Sequence, residues 1–249
     1  MRMKQKYGLI GFPLGHSFSK SFFNEKFQAE NIQAEYINYE IPEIKKLKKI
    51  LTTEKELCGL NVTLPYKEAV IPYLDEIDDE ARKIGAVNVI KFIRSGNQLK
   101  TKGYNSDIIG FSDSIEPLLT EARSHALVLG TGGAAKAICV GLENLGIEVT
   151  KVSRVRKPGC ISYDDITPEI MFRNKIIVNT TPLGMYPNIE SCPNIQYDKL
   201  TPEHLCYDLI YNPDETLFLK KSAQYGAETK NGLEMLLLQA FATWDIWQR

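Results

Sequence analysis

Short apolar runs alternate with amphipathic stretches through the first hundred or so residues. YGLIGFP at Tyr7 to Pro13 and AEYINYEI at Ala34 to Ile41 read as strands, with a helix expected between them from Ser19 to Glu30. Around Glu43 to Leu51, the residues Ile44, Leu47, Ile50 and Leu51 recur at helical spacing, so the lysines of KKLKK read as a solvated helix face. CGLNVTLPYKEAVIPYL holds the next apolar run, and Asp78 to Lys83 a further helix. AVNVIKFI and NQLKTKGYN then read as two strands separated by the turn residues Ser95, Gly96 and Asn97. Such alternation predicts an α/β sheet.

The rhythm then changes. A helix from Ser106 leads to a strand at Leu127 to Leu129, a glycine turn, a helix after Ala134 and a strand at EVTKVSR, which is the sequence of elements in a doubly wound nucleotide domain. LCYDLIY gives another strand, a helix follows Asn212-Pro213, and an amphipathic helix runs from Leu233 onward. No internal repeat or low-complexity tract interrupts the pattern.

With 249 residues and 43% hydrophobic content, the chain is long enough for two domains with their own cores. A net charge of -1, from 30 basic and 31 acidic residues, leaves no electrostatic footprint for nucleic acid or an anionic membrane. A small-molecule substrate is expected instead, handled by a monomer or homodimer. Cys58, Cys139, Cys160, Cys192 and Cys206 are scattered without metal-site or disulfide spacing, so reduced thiols and no metal are expected. The start becomes strand-like too soon for a signal peptide and no apolar run reaches the length of a membrane span, so a cytoplasmic protein is expected.

The glycine turn is Gly130, Thr131, Gly132, Gly133, Ala134 and Ala135. Its glycines let backbone amides at a helix N-terminus approach a pyrophosphate, where the helix dipole favours negative charge; an ordinary strand-to-helix turn is the alternative. About twenty residues on, NAD-preferring domains carry an acid for the ribose 2′-hydroxyl. Here KVSRVRK supplies Arg154, Arg156 and Lys157 and no carboxylate, which suits a 2′-phosphate and points to NADP(H); a solvated basic turn is the alternative.

Four earlier blocks set hydroxyls, amides and charges beside glycine or proline where strands give way to loops. GFPLGHSFSK offers Ser17 and Ser19, whose hydroxyls face one way if the backbone is extended; a helix N-cap is the other role open to one of them. NVTLPYK places Asn61, Thr63 and Lys67 around Pro65, which biases Leu64 to extended geometry. GAVNV ends near Asn88, a binding amide or a turn amide. In GYNSDIIG, Asn105 and Asp107 flank Ser106 at a helix start, where Asp107 is either functional or a cap.

Taken together and in order, these blocks resemble the shikimate dehydrogenase family over nearly the whole chain. The resemblance is carried by HSFS at His16 to Ser19, NVTLPYK, GAVN at Gly85 to Asn88, GYNSD at Gly103 to Asp107 and GTGGAA at Gly130 to Ala135. VNTTPLGM at Val178 to Met185, YDLIYNP at Tyr207 to Pro213 and NGLEMLLLQA at Asn231 to Ala240 extend it. It implies NADPH-dependent reversible reduction of 3-dehydroshikimate to shikimate, in the route to chorismate and the aromatic amino acids. Ser17 and Ser19 would hold the substrate carboxylate, while Asn61, Thr63, Asn88, Asp107 and Gln239 meet the ring hydroxyls. Lys67 and Asp107 would form the catalytic dyad, an ammonium being suited both to stabilise a growing oxyanion and to protonate it. For the cofactor, the glycine turn would be joined by Ser153, Arg154, Arg156 and Lys157, by Asn179 and Thr180 near the adenosine and its ribose, and by Leu209, Tyr211, Gly232 and Met235 near the nicotinamide. Tyr211 and Met235 are equally open to a core role.

Three departures from the family pattern stand out: Lys20 and Phe23 where proline and histidine are usual, Ser106 for threonine, and Ser153-Arg154-Val155 for Asn-Arg-Thr. The expected architecture is α/β with two domains, a substrate domain of residues 1–104 plus 233–249 and a Rossmann-like cofactor domain of 105–232, with the active site in a cleft between them that closes on its ligands. A quinate/shikimate dehydrogenase of broader specificity is the nearest alternative. A non-catalytic NADP- or shikimate-binding regulator is the other, and it has no need of Lys67 and Asp107.

Overall fold

The computed structural model describes residues 4–15, 17–96 and 98–249, so His16 and the turn residue Asn97 lie outside the described residues. Cα packing groups the chain into Met1–Ser106 with Ala240–Arg249, and Asp107–Gln239.

In the first unit, β1 (Gln5–Gly11), β2 (Ala34–Glu40), β3 (Leu57–Val62), β4 (Glu76–Ile77), β5 (Val89–Ser95) and β6 (Gln98–Tyr104) form one sheet in the order β2-β1-β3-β5-β6-β4. Parallel pairing joins β1 to β2 and β3, whereas β5 is antiparallel to both β3 and β6. Helices α1 (Phe18–Ala29), α2 (Leu47–Thr53) and α3 (Asp79–Ile84) connect these strands. Consecutive strand residues serve opposite faces: Ile10 packs with Leu47 and Ile50 of α2, and its neighbour Leu9 with Phe23 and Phe27 of α1. The lysines of KKLKK are exposed around buried Leu47, as the periodicity predicts, although Ile44–Lys46 forms a 3-10 turn before α2 begins. Asp78 caps α3 by accepting from the Glu80 N–H at 3.2 Å, and Gly85 ends it at φ 71°.

In the second unit every strand is parallel. β7 (His125–Leu129), β8 (Glu148–Ser153), β9 (Ile161–Ser162), β10 (Ile176–Asn179), β11 (Leu205–Asp208) and β12 (Glu228–Lys230) run in the order β12-β11-β10-β7-β8-β9. Both faces are covered, which explains continuous apolar runs instead of alternation. Ala126, Val128, Ile176 and Val178 pack with residues of α4 (Asp107–Ile115) and α5 (Gly133–Asn144). Leu127, Leu129 and Ile177 pack with residues of α6 (Pro168–Arg173) and α7 (Leu217–Gln224). The order doubles back between β7 and β10, the switch point at which doubly wound sheets bind ligands beyond their strand ends. The last helix, α8 (Leu233–Gln248), gives Met235 and Gln239 to this unit and its remaining residues from Ala240 to the first.

No helix among the described residues is long and apolar enough to cross a membrane. All five cysteines are unpaired, and among the described residues no group of three or more His, Cys, Asp or Glu side chains is placed to hold a metal ion.

Candidate functional site

The substrate-side candidates of the first unit gather around the ends of its strands and the start of α1. Ser17 caps α1, its Oγ accepting from the Lys20 N–H at 3.3 Å; an oxygen that accepts keeps its own proton to donate. Only Ser17 has extended backbone, at φ -96° and ψ 114°; Ser19 already lies within the helix. Strand-like alternation therefore does not align the two hydroxyls, and the extended reading is corrected by the cap that starts the helix at Phe18.

Asn61 is the last but one residue of β3 and is buried. Its Oδ1 accepts from the Tyr36 hydroxyl at 2.8 Å, and its Nδ2 donates to the Asn88 carbonyl at 3.3 Å. Asn88, just ahead of β5, exchanges bonds with Ser106: its Nδ2 reaches Ser106 Oγ at 3.0 Å and its Oδ1 accepts the Ser106 N–H at 2.7 Å. Thr63 follows β3 with its N–H on the Ile10 carbonyl at 2.9 Å, and Lys67 is half-buried in the ensuing turn, where its carbonyl receives the Val87 N–H at 2.7 Å. These backbone bonds tie the Lys67 turn to the strand exit and to the segment that delivers Asn88. Asn105 is used locally, donating to the Ala86 carbonyl at 3.0 Å.

Asp107 belongs to the second unit, where it opens α4 as a buried carboxylate in the first turn. Gln239 is half-buried on α8 and donates to the Leu236 carbonyl at 2.9 Å.

The glycine turn has the geometry of an anion cradle. Gly130 adopts φ +117°, and a Cβ there would lie 2.5 Å from Thr180 Oγ1, so only glycine fits. Gly132 occupies the N-cap of α5 with no side-chain bond to the free amides, and the space where its side chain would be is open. The backbone N–H groups at this helix end are thus available to phosphate oxygens. Thr180 closes the turn from the neighbouring strand, its hydroxyl and N–H both donating to the Leu129 carbonyl, at 2.7 and 3.0 Å.

On the far side of this turn the basic cluster divides. Lys157 Nζ donates to Thr131 Oγ1 at 2.7 Å and so joins the cluster to the glycine turn. Arg156 is paired with Asp165 at 2.5 Å. Arg154, exposed directly after buried Ser153, makes no ion pair among the described residues. These residues fit an NADP pyrophosphate and 2′-phosphate.

Asn179 is fully engaged within the protein. Its Nδ2 donates to Asp208 Oδ1 at 3.0 Å and to the Leu183 carbonyl at 3.3 Å, while its Oδ1 accepts from Thr181 N–H and Oγ1 at 3.0 and 2.6 Å. Asp208, which the sequence did not single out, accepts in addition from Thr216 Oγ1 at 2.6 Å and Ile210 N–H at 3.1 Å. Burial pushes its carboxyl up to about 6 despite these donors. Its role is to tie the loops after β10 and β11 together beside the glycine turn. At the β11 exit, Gly232 lies so close to Leu209 that a Cβ would fall 2.1 Å from the Leu209 carbonyl oxygen. Met235 is buried in the core, Leu209 packs against it, and Tyr211 is 38% exposed.

The family described as shikimate dehydrogenase substrate binding domain matches residues 9–90. A shikimate dehydrogenase (NADP(+)) of Methanosphaera stadtmanae is 39% identical, covering 96% of this chain and 90% of that protein. The crystal structure of shikimate dehydrogenase from Aquifex aeolicus superposes with a TM-score of 0.86 at 36% identity, over 98% of this chain and 92% of that one. The enzyme from Thermus thermophilus, solved in complex with NADP(H) and shikimate, gives 0.83 at 26% identity, over 98% and 93%.

Proposed function

This chain belongs to the shikimate dehydrogenase family, and from that premise we propose that it catalyses the NADPH-dependent, reversible reduction of 3-dehydroshikimate to shikimate. The observation that carries the reading is identity sustained through both units, 39% over 96% of the chain, so that substrate-side and cofactor-side motifs occur together. The first unit takes the substrate and the second the cofactor.

NADPH, when bound, supplies the hydride to the substrate's carbonyl carbon. The open N-terminus of α5 at Gly132 and Gly133 receives the pyrophosphate, and Arg154, with Lys157, neutralises the 2′-phosphate. Ser17 and Ser19 donate to the substrate carboxylate, and Asn61, Thr63, Asn88 and Gln239 bond the ring hydroxyls. A site built from such donors rejects an analogue lacking a hydroxyl, because its own buried groups are then left unpaired. As charge grows on the carbonyl oxygen, the Lys67 ammonium stabilises it and passes a proton to it. In the oxidative direction Lys67 takes that proton back, with Asp107 as the second member of the dyad.

Following NADPH absorbance at equilibrium with shikimate, quinate and no substrate tests the reading. Shikimate-dependent reduction of NADP+ supports it. Turnover of quinate at comparable kcat/KM shifts it to the broader enzyme, and no turnover of either acid sinks it.

A further inference from the structure

Tyr36 and Thr243 stand outside every motif the sequence offers, yet they join the side chains assigned to the substrate. The Tyr36 hydroxyl donates to Asn61 Oδ1 at 2.8 Å. Asn61 Nδ2 reaches Thr243 Oγ1 at 3.4 Å, and Thr243 Oγ1 lies 3.0 Å from Ser106 Oγ, which receives Asn88 Nδ2. Tyr36, Thr243 and Ser106 are 2%, 0% and 0% exposed, so water does not substitute for a lost link. The chain of bonds visits β2, β3, α8 and the segments entering β5 and leaving β6, all within the first unit.

A carboxamide presents an acceptor on one side and donors on the other, and a half-turn about its last bond exchanges them. Tyr36 selects the orientation of Asn61, because a phenol has one proton to give and burial keeps that proton in place well above the ordinary range. The ring itself is held: it stacks on Phe23 at 5.0 Å and 11°. The Tyr36 backbone is clamped by Asn24, which accepts its N–H at 3.0 Å and donates to its carbonyl at 3.1 Å. On the other side, Thr243 accepts from Asn61 Nδ2 and shares a hydrogen bond with the Ser106 hydroxyl.

We propose that Tyr36 and Thr243 are positioning residues for substrate recognition, fixing the amide orientation of Asn61 and, through Ser106, steadying Asn88, so that the ring hydroxyls meet a single donor-acceptor pattern. The inference rests on the reading of Asn61 and Asn88 as substrate-binding residues. Steady-state kinetics of Tyr36→Phe, Thr243→Val and Thr243→Ser with shikimate and NADP+ test it. Removing either hydroxyl raises the shikimate KM about tenfold, within the range set by the loss of one buried hydrogen bond, and leaves the NADP+ KM unchanged. Thr243→Ser restores the shikimate KM to within about twofold, since it returns the hydroxyl. An unchanged shikimate KM, a parallel rise in the NADP+ KM, or a serine variant as impaired as the valine variant overturns the proposal. Should Thr243→Val fail to fold, Tyr36→Phe carries the test, as it loses one oxygen and keeps the stacked ring. Wild-type protein inactive on shikimate sinks the function and this inference together, whereas active wild type with unaffected variants sinks the inference alone.

Discussion

Replacing Asp208 with asparagine stabilises the second unit above neutral pH and flattens its pH dependence. The carboxyl is fully buried, and desolvation raises it from 3.8 to about 6 against the opposing pull of Thr216, Ile210 and Asn179. Between those two values the folded protein retains a proton that the unfolded chain has released, so stability falls as pH rises through the window from about 4 to about 6. Roughly two pH units at about 1.4 kcal/mol each make the loss about 3 kcal/mol, complete above the upper value. Asparagine avoids it. Its Oδ1 still accepts from Asn179 and Ile210, while its Nδ2 turns to Thr216, whose hydroxyl reverses from donor to acceptor.

The assay is the difference in unfolding free energy, variant minus wild type, from urea denaturation across pH 4 to 8. The difference isolates Asp208 from groups of opposite sign. Donors from Thr101 and Ser162 hold the Asp75 and Asp165 carboxyls below the ordinary range, and burial lowers His204; stability from all three is lost on acidification. The difference should grow by about 3 kcal/mol toward high pH, a shift of roughly 6 to 12 °C in apparent Tm for a chain of this size. Parallel profiles for the two proteins would refute the burial argument. Asp208→Ala makes the complementary point: it removes the acceptor of Thr216 and Ile210 and one of the two acceptors of Asn179, and both stability and NADPH affinity should drop.

Other substitutions address the chemistry directly. Lys67→Ala lowers kcat by about 100- to 10,000-fold with a much smaller change in KM, the signature of a lost transition-state interaction; near-normal turnover in rapid-mixing or steady-state assays removes Lys67 from the mechanism. Arg154→Asp raises the NADPH KM by about tenfold or more while sparing NADH; a wild type that prefers NADH, or a variant whose NADPH KM is unchanged, contradicts the charge argument. Gly130→Ala forces a Cβ to 2.5 Å from Thr180 Oγ1 at φ +117°, so it should lower stability by about 1 to 3 kcal/mol and weaken NADPH binding measured by fluorescence titration.

The cofactor half was the more legible in sequence because its chemistry is local. A glycine turn, an open helix N-terminus and a basic strand exit are short-range patterns, and the parallel sheet order follows from the strand-helix rhythm. What stayed hidden there was either too short or too uniform. β9 has two residues and β12 three, while the four residues of β10 are all buried and carry no period. The strand expected to run through Tyr211 instead stops at Asp208, where the carboxylate captures the Ile210 N–H at 3.1 Å and turns the chain.

On the substrate side the motifs were visible but their support was not. Asn61 and Asn88 advertise themselves as strand-exit amides, whereas the hydroxyls that orient Asn61 lie 25 residues away at Tyr36 and 182 away at Thr243. Neither residue is unusual where it stands: Tyr36 is an ordinary inward-facing strand residue, and Thr243 a hydroxyl within an apolar helix. A buried hydroxyl in such a helix requires a partner, and only the folded chain shows that the partners of Thr243 are Asn61 and Ser106. It follows that substitutions in the last turns of α8, far along the sequence from any binding motif, should alter which ring hydroxyls the protein accepts before they alter how tightly it holds NADPH.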